Sequence, residues 1–336
     1  MQENLANSNR ETWADVLRAV GIIGVILLHV SAVIVYRFDL ISSVDWLIAN
    51  IINSFSRFCV PIFLMLTGFF LLPVYEPYNK HLKKLLNRII LPFFFWSCIY
   101  VFFLIVADLN VIFSLKSILK KGISYHFWYV YLIVGIYLVM PLLRKILDVL
   151  PNYAINLMLL VWPLTFLFQL EEIKKLIPYS SAIYYVGYLG YVLLGYRISK
   201  MQVTKFPQWL SWLLFITGSL ATAGITYWLT TQSNKFNSIY YQYLSPTVLV
   251  SVIGIFLAIK NCTKIHPVVK LISKSSYGLY LSHVLLLNFM LSAHVQELPI
   301  WIYFPVTFNA CLLASLALVN LLQKLPFGKY FSGIST

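Results

Sequence analysis

The sequence predicts an all-α integral membrane protein, a bundle of about ten transmembrane helices with both termini in the cytoplasm. Of its 336 residues, 60% are hydrophobic and only 11% are charged, whereas about a quarter of the residues in soluble domains are charged. The mean hydropathy is +0.81. Apolar runs also recur at close to the ~20 residues that a helix needs to cross ~30 Å of hydrocarbon. Lipid is therefore the solvent that this composition fits.

Ten apolar segments follow one another along the chain. They are residues 13–36, 46–72, 89–107, 127–143, 153–170, 182–196, 209–229, 244–259, 277–293 and 300–322. The segments between them are too short to hold another folded domain. We therefore expect a single membrane domain over residues 1–336 with no separate soluble domain.

The net charge of +14 is explained by topology. With the N-terminus in the cytoplasm, Lys and Arg are more numerous in the inner segments than in the outer loops, as the positive-inside rule requires. An even number of spans returns the C-terminus to the same side, and no nucleic-acid partner is implied. The cysteines lack metal-ligand and C-x-x-C spacings, so no metal site is expected.

Two basic amphipathic segments have the composition to lie along the inner membrane surface. One covers residues 80–88 and includes Lys84 and Arg88, and the other covers residues 260–274. Attraction to anionic lipid and control of topology account for such segments. The functional alternative is a cradle for a polyanion, such as the phosphates of a nucleotide cofactor.

Three polar residues lie inside predicted spans, where an ionisable side chain is costly and suggests function. His29 lies in the outer part of the first span, Arg57 near the middle of the second and His283 in the inner half of the ninth. Each imidazole has the alternative role of hydrogen bonding to a neighbouring helix. Arg57 cannot neutralise itself, so it requires buried acceptors, an anionic ligand or a wet cavity.

The first span combines a cation with a titratable base. Asp15 and Arg18 are i,i+3 neighbours at its inner end, and His29 lies eleven residues beyond Arg18, about 16 Å away on a similar helix face. This spacing suits a long substrate with a phosphate head at the inner face and a reactive end inside the membrane. Alternatively, Arg18 paired with Asp15 only anchors the helix on the inner side.

His126 and Trp128 open the fourth span from the outer side. Aromatic residues are expected in any interfacial belt. Alternatively, His126 faces the outer mouth of a cavity that contains His29, and aromatic walls with a polar tip suit a sugar.

These motifs resemble those of membrane-bound acyltransferase family 3, the multi-span O-acyltransferases of bacterial surface glycans. The matching features occur in the family's order: Asp15-x-x-Arg18 followed by His29, the run SRFCVPIFLMLTGF at 56–69, Lys84-x-x-x-Arg88-Ile89-x-x-Pro92, His126-x-Trp128, and SYGLYLSH at 276–283. Residues 146–259 match only in hydropathy, and Thr67-Gly68 replaces the family's common Ser-Gly. Within the family, the chain is most similar to the short stand-alone members that include the O-acetyltransferase of enterobacterial common antigen.

The resemblance implies transfer of an acyl group, usually acetyl, from cytoplasmic acetyl-CoA to a glycan hydroxyl on the outer side of a bacterial plasma membrane. The acceptor is a surface glycan or an undecaprenyl-linked saccharide. His29 would be the catalytic residue, as general base or as acyl-carrying nucleophile. Arg18, Lys84 and Arg88 would bind the phosphates of acetyl-CoA, and Arg57 would stabilise the oxyanion.

The remaining candidates have less defined roles, and rival functions are open. His126 and Trp128 would contact the sugar, while His283 would carry a second proton or serve only in packing. A transporter or flippase for a lipid-linked glycan would use His29 and Arg57 as a polar pathway. A sensor or scaffold would depend on none of these residues. The oligomeric state is not predicted, because apolar surfaces that face lipid and partners look alike.

Overall fold

Every regular element in the described part of the chain is a helix, which confirms the predicted fold class. The computed structural model describes residues 2–106, 123–177, 180–201 and 206–334. The last residue of the third predicted span, Ala107, lies outside them. The helices are α1 (Gln2–Val35), α2 (Ser43–Ser56), α3 (Cys59–Leu71), α4 (Tyr78–Leu85), α5 (Leu91–Val106), α6 (Trp128–Val149), α7 (Asn152–Val161), α8 (Glu171–Leu176), α9 (Ser180–Gly187), α10 (Leu189–Lys200), α11 (Gln208–Ser233), α12 (Pro246–Lys260), α13 (Pro267–Ser292), α14 (Ile300–Gln323) and α15 (Gly328–Phe331).

Eight helical segments of the described chain are long and apolar enough to cross a membrane. They are Thr12–Val35, Ser43–Leu71, Tyr78–Val106, Tyr125–Val149, Asn152–Gln169, Gln208–Ser233, Ile239–Lys260 and Ile300–Gln323. These segments coincide with eight of the ten predicted spans. The sixth predicted span is divided into the shorter helices α9 and α10, and the ninth lies within the 26-residue α13, whose polar residues lower its hydropathy. The number ten and the cytoplasmic termini stay predictions.

The helices group into two compact units, each made of segments that are distant in sequence. The first unit comprises Met1–Tyr75 and Leu142–Ser273, and the second comprises Glu76–Pro141 and Lys274–Thr336. The first unit contains α1 to α3 and α7 to α12 with the ends of α6 and α13 that fall within its ranges, and the second contains α4, α5, α14 and α15 together with most of α6 and α13.

Close helix packing in the first unit depends on glycine. A Cβ atom on Gly68 of α3 would overlap the carbonyl oxygen of Val192 in α10, and one on Gly195 of α10 would overlap the carbonyl oxygen of Met65. The two backbones therefore approach each other through two reciprocal glycine contacts. Small residues at such contacts let membrane helices gain dispersion energy where no hydrophobic driving force exists.

The two basic segments lie at the starts of longer helices, and their position along the membrane surface stays a prediction. Residues 80–88 form the first turns of the helical segment Tyr78–Val106, and residues 267–274 form the first turns of α13. Prolines explain both starts, since Pro77 precedes α4 and Pro267 opens α13, and proline is well suited to the first turn of a helix. The two helices thus begin about ten residues before the apolar runs from which the spans were predicted.

A π-helical segment, Leu86–Ile90, joins α4 to α5 in the second unit. Pro92, two residues after its end, cannot donate a backbone hydrogen bond, which favours the wider turn. Such π segments are frequent at functional sites. Tyr277 of α13 donates to the carbonyl oxygen of Ile89 at 3.0 Å, so the segment is tied to a second helix of the unit.

Candidate functional site

The first unit carries Arg18 and His29 on one uninterrupted helix, α1. Their separation of eleven positions corresponds to a rise of about 16 Å and close to three full turns. Both side chains are half-buried. The helix geometry on which the sequence interpretation rested is therefore present.

Arg18 is oriented by a carboxylate that is itself held from another helix. Its Nη1 donates to Asp15 Oδ1 at 2.8 Å, and the hydroxyl of Ser273 in α13 donates to the same oxygen at 2.8 Å. The guanidinium carbon lies 5.7 Å from the ring centroid of Phe70. The pairing with Asp15 agrees with the anchor interpretation, yet it uses only one nitrogen of the guanidinium.

Arg57 lies at a break between α2 and α3. The break has a local cause, because Pro61 has no N–H to bond the Arg57 carbonyl four residues earlier. At the same break, the Arg57 N–H bonds to the Ser54 carbonyl three residues earlier, at 3.3 Å, and α3 begins at Cys59. The guanidinium is thereby placed at an interruption of the helix, near the middle of the second membrane-spanning segment.

The guanidinium of Arg57 is held by neutral oxygen atoms. Its Nε donates to Asn53 Oδ1 at 2.9 Å and its Nη1 to the Tyr241 carbonyl at 3.0 Å, while Nη2 also donates to Asn53 Oδ1. The guanidinium carbon lies 4.1 Å from the ring centroid of Tyr241. No carboxylate of the described residues forms a salt bridge with Arg57. Its positive charge is thus fixed in place but not neutralised.

Asn53 connects Arg57 to the part of α1 that carries His29. Its Nδ2 donates to the Leu28 carbonyl at 3.0 Å and to the Ser31 hydroxyl at 2.8 Å. These two acceptors flank His29 in the sequence. One buried amide therefore ties the arginine to the helix segment of the predicted catalytic histidine.

A second amide completes this polar network. Asn50, one helical turn before Asn53, accepts from the Tyr241 hydroxyl at 2.6 Å and donates to the Ala223 carbonyl of α11 at 3.0 Å. Tyr241 thus contacts Arg57 through its ring and carbonyl while its hydroxyl is held by Asn50. Both amide side chains and Tyr241 are buried, so the arginine has a rigid environment.

In the second unit, Lys84 is paired with a carboxylate. Its ammonium donates to Glu76, which also contacts Nδ1 of the buried His81 at 3.2 Å, while His81 Nε2 lies 2.9 Å from the Tyr137 carbonyl. A phosphate bound by Lys84 would have to compete with Glu76.

The charge of Glu76 is stabilised by this pairing. Burial raises the pKa of Glu76, but hydrogen bonds from Lys84 and His81 and their charges outweigh it, so the pKa lies below its ordinary value. A lowered folded-state pKa contributes stability above the unfolded-state pKa, and this contribution is lost as the pH falls through the lowered value.

Arg88, one turn beyond Lys84, is exposed in the π segment.

His126 and His283 lie together in the second unit, with ring centroids 5.4 Å apart. Both rings are buried. The Tyr280 hydroxyl donates to the His126 carbonyl, and His126 Nδ1 lies 2.8 Å from the Ser124 hydroxyl. The sequence analysis placed His126 at the outer end of the fourth span and His283 in the inner half of the ninth, and the second placement is wrong. Because α13 begins at Pro267, His283 lies beyond the middle of the helix, and the fold brings the two histidines into one cluster with Tyr280.

The tautomer of His283 follows from its acceptors. Nδ1 faces the carbonyls of Leu279 at 3.0 Å and Tyr280 at 2.8 Å. Because carbonyl oxygens only accept, Nδ1 carries the proton, and Nε2 is the basic nitrogen of the neutral ring. Trp128, two residues after His126, opens α6 and is half-buried.

Asn50, Asn53 and Glu76 are site residues that the sequence interpretation missed. The two asparagines precede Arg57 by seven and four residues, which places all three on one face of an apolar helix. That polar spacing was a signal in the second span. Glu76 precedes the helix α4 and gave no periodic signal.

Within the described ranges, no group of three metal-ligating side chains could hold an ion.

These features define a multi-pass membrane protein with a cation and an imidazole on its first helix and a fixed, unneutralised arginine on the next span. The sequence model of acyltransferase family 3, described as an acyltransferase domain, matches residues 11–319. The chain belongs to this family and is a membrane acyltransferase. None of the curated proteins and none of the solved structures compared with it matches.

Proposed function

We propose that the chain is an O-acyltransferase that moves an acyl group, most simply acetyl, from cytoplasmic acyl-CoA to a hydroxyl of a cell-surface or lipid-linked glycan. It acts in a bacterial plasma membrane. Family membership supports the transfer of an acyl group. The observation that carries the specific proposal is the placement of Arg18 and His29 on one continuous helix.

The donor lies along α1 in this proposal. A phosphate near Arg18 leaves about 16 Å along the helix for the pantetheine arm before the thioester reaches His29. The thioester is then inside the membrane, where little water competes with the glycan hydroxyl. The orientation of Arg18 by Asp15 and Ser273 supports a fixed docking point for the head of the donor.

His29 acts on the incoming hydroxyl or on the thioester itself. As a general base it removes the hydroxyl proton while the oxygen attacks the thioester carbonyl, the C–S bond breaks, and the CoA thiolate takes up the proton. As a nucleophile it first forms an acyl-imidazole with release of CoA, and the hydroxyl then attacks that intermediate. Both routes yield the acylated glycan and free CoA.

Arg57 stabilises the negative charge that develops on the thioester oxygen. A cation held in advance by Asn53 and Tyr241 does not need to reorganise when the charge forms. Its lack of a carboxylate partner among the described residues leaves the charge available. On the acceptor side, His126 and Trp128 contact the sugar, and His283 carries a proton through its basic Nε2 or supports His126 by packing.

The test compares surface glycans of cells with and without the chain by mass spectrometry and repeats the comparison with His29→Ala. We expect an acetyl-sized mass increment to disappear in the deletion and in His29→Ala, with the glycan still displayed and the variant still in the membrane. The matched control is His266→Ala, which removes an exposed histidine with only a local backbone hydrogen bond.

Two outcomes would contradict the proposal. Normal acylation by His29→Ala would exclude His29 from catalysis. Loss of the whole glycan from the surface, without a change in the acylation of what is made, would indicate transport of a lipid-linked glycan instead.

A further inference from the structure

Lys260, the last residue of α12, is a half-buried cation in the first unit. Its ammonium lies 5.7 Å from the ring centroid of Phe69 in α3. None of the described carboxylates forms a salt bridge with it, in contrast to Lys84, which Glu76 neutralises. A partly desolvated ammonium is costly unless an anion is supplied, so Lys260 is suited to an anionic ligand.

Arg18 borders the same group of rings as Lys260. We call Trp13, Phe69, Phe70 and Phe256 the aromatic cluster; Phe69 and Phe70 have ring centroids 5.0 Å apart, and Trp13 lies 5.0 Å from Phe69 and 5.7 Å from Phe70. Arg18 contacts Phe70 and Lys260 contacts Phe69. Two cations from different helices therefore meet adjacent rings of one cluster, of which Phe70 is half-buried and the other three are buried.

Arg18 retains donors for a ligand in this arrangement. Asp15 engages Nη1, and the other guanidinium N–H groups form no hydrogen bond with the described residues. Asp15 is also held by Ser273, so it fixes the orientation of the guanidinium. Arg18 thus offers a planar fork and Lys260 a point charge, the two side chains that recognise phosphate groups.

We infer that Lys260 and Arg18 form a two-cation site for the phosphate groups of the acyl donor, with Asp15 as the positioning residue of Arg18. This inference rests on the proposed function. It adds Lys260 as a donor-binding residue and makes the aromatic cluster the floor of the site. Acyl-CoA carries both a pyrophosphate and a separate phosphate monoester, so two cations on different helices can each bind one group.

The experiment measures acetyl-CoA binding to the purified full-length protein in neutral detergent by isothermal titration calorimetry. We expect Lys260→Met to weaken binding by about tenfold, the effect of one charge-assisted hydrogen bond. Lys260→Arg should stay within about threefold of the wild type because the charge remains. The matched control is Lys200→Met, since Lys200 is an exposed lysine 5.6 Å from the Tyr196 ring centroid and should leave binding unchanged. Lys260→Gln repeats the test if Lys260→Met does not elute as a monodisperse peak.

The outcomes separate this inference from the proposed function. If the wild type does not bind acetyl-CoA, the proposed function fails and the inference fails with it. If the wild type binds and the neutral Lys260 variants bind equally well, the inference alone is overturned. A third arm replaces the detergent with nanodiscs containing phosphatidylglycerol and measures how much of that lipid each variant retains. If the neutral Lys260 variants retain less lipid but keep full affinity for acetyl-CoA, the two cations bind a lipid phosphate, and the assignment to the acyl donor is wrong.

Discussion

Arg57 combines a fixed orientation with an undiminished charge. Asn53 and the Tyr241 carbonyl are neutral acceptors, so they orient the guanidinium without removing its charge. Arg57 is also a structural residue, because it bonds to the Tyr241 carbonyl and orients Asn53, whose Nδ2 links α2 to α1. A measurement that separates turnover from binding and folding is needed to distinguish these roles.

We expect Arg57→Lys to lower kcat for acyl transfer by about tenfold to a hundredfold with a small change in KM, because a point charge cannot reproduce the planar fork. Steady-state transfer from radiolabelled acetyl-CoA to the purified acceptor glycan in membranes measures both constants. Arg197→Lys is the matched control, since it removes an exposed Arg–Asn hydrogen bond to Asn156 and should leave kcat unchanged. An Arg57→Lys variant with the wild-type kcat would show that the fork is not used in the transition state.

At the scale of elements, the contact between α3 and α10 has no room for a side chain at its two glycines. Gly68 faces the Val192 backbone and Gly195 faces the Met65 backbone. A neighbour that is backbone cannot rotate away as a side chain would. The helices must therefore separate if either glycine gains a methyl group. This contact lies on α3, the helix that begins directly after the break at Arg57.

Gly68→Ala should lower the thermal unfolding midpoint in detergent, at a cost of about 1–3 kcal/mol for overpacking. Gly224→Ala in α11 is the matched control, because a Cβ atom there meets nothing within 4 Å and alanine favours the helix by about 1 kcal/mol. Differential scanning fluorimetry of both variants gives the comparison. Equal midpoints for the two would contradict the close approach of α3 and α10.

At the scale of the whole molecule, the predicted orientation in the membrane rests on the distribution of basic residues rather than on any single contact. The eight membrane-spanning candidates and the family membership establish a multi-pass membrane protein. The predicted topology, with cytoplasmic termini, assigns Arg18, Lys84 and Lys260 to the side on which acyl-CoA is made. That side is what both functional proposals require.

Reporter fusions test this topology. A fluorescent protein fused to the C-terminus should fluoresce, whereas alkaline phosphatase at the same place should be inactive, because phosphatase folds only outside the cytoplasm. Phosphatase fused after Lys235, in a predicted outer loop, should be active. The opposite pattern at both sites would invert the topology and remove the cytoplasmic donor from the Arg18 end.

The sequence alone determined the membrane class, the extent of most apolar helices and the spacing of Arg18 and His29. These properties are local, because hydropathy and helical periodicity depend only on residues close together in the chain. The sequence also marked Arg57, His126 and His283 as candidate site residues, because a polar side chain in or beside an apolar run is likewise a local feature. The early helix starts at Tyr78 and Pro267 were missed, since polar first turns do not stand out in hydropathy.

Only the tertiary structure decided the partners of these residues. It joined Asn53 and Tyr241 to Arg57, brought His126 against His283, paired Glu76 with Lys84, and left Lys260 over the aromatic cluster without a carboxylate among the described residues. Most of these partners are far apart in sequence and lie on different helices. In a chain whose helices are apolar on nearly every face, hydropathy does not tell which face meets a neighbour and which meets lipid, so the contacts that define a site emerge only when the helices pack.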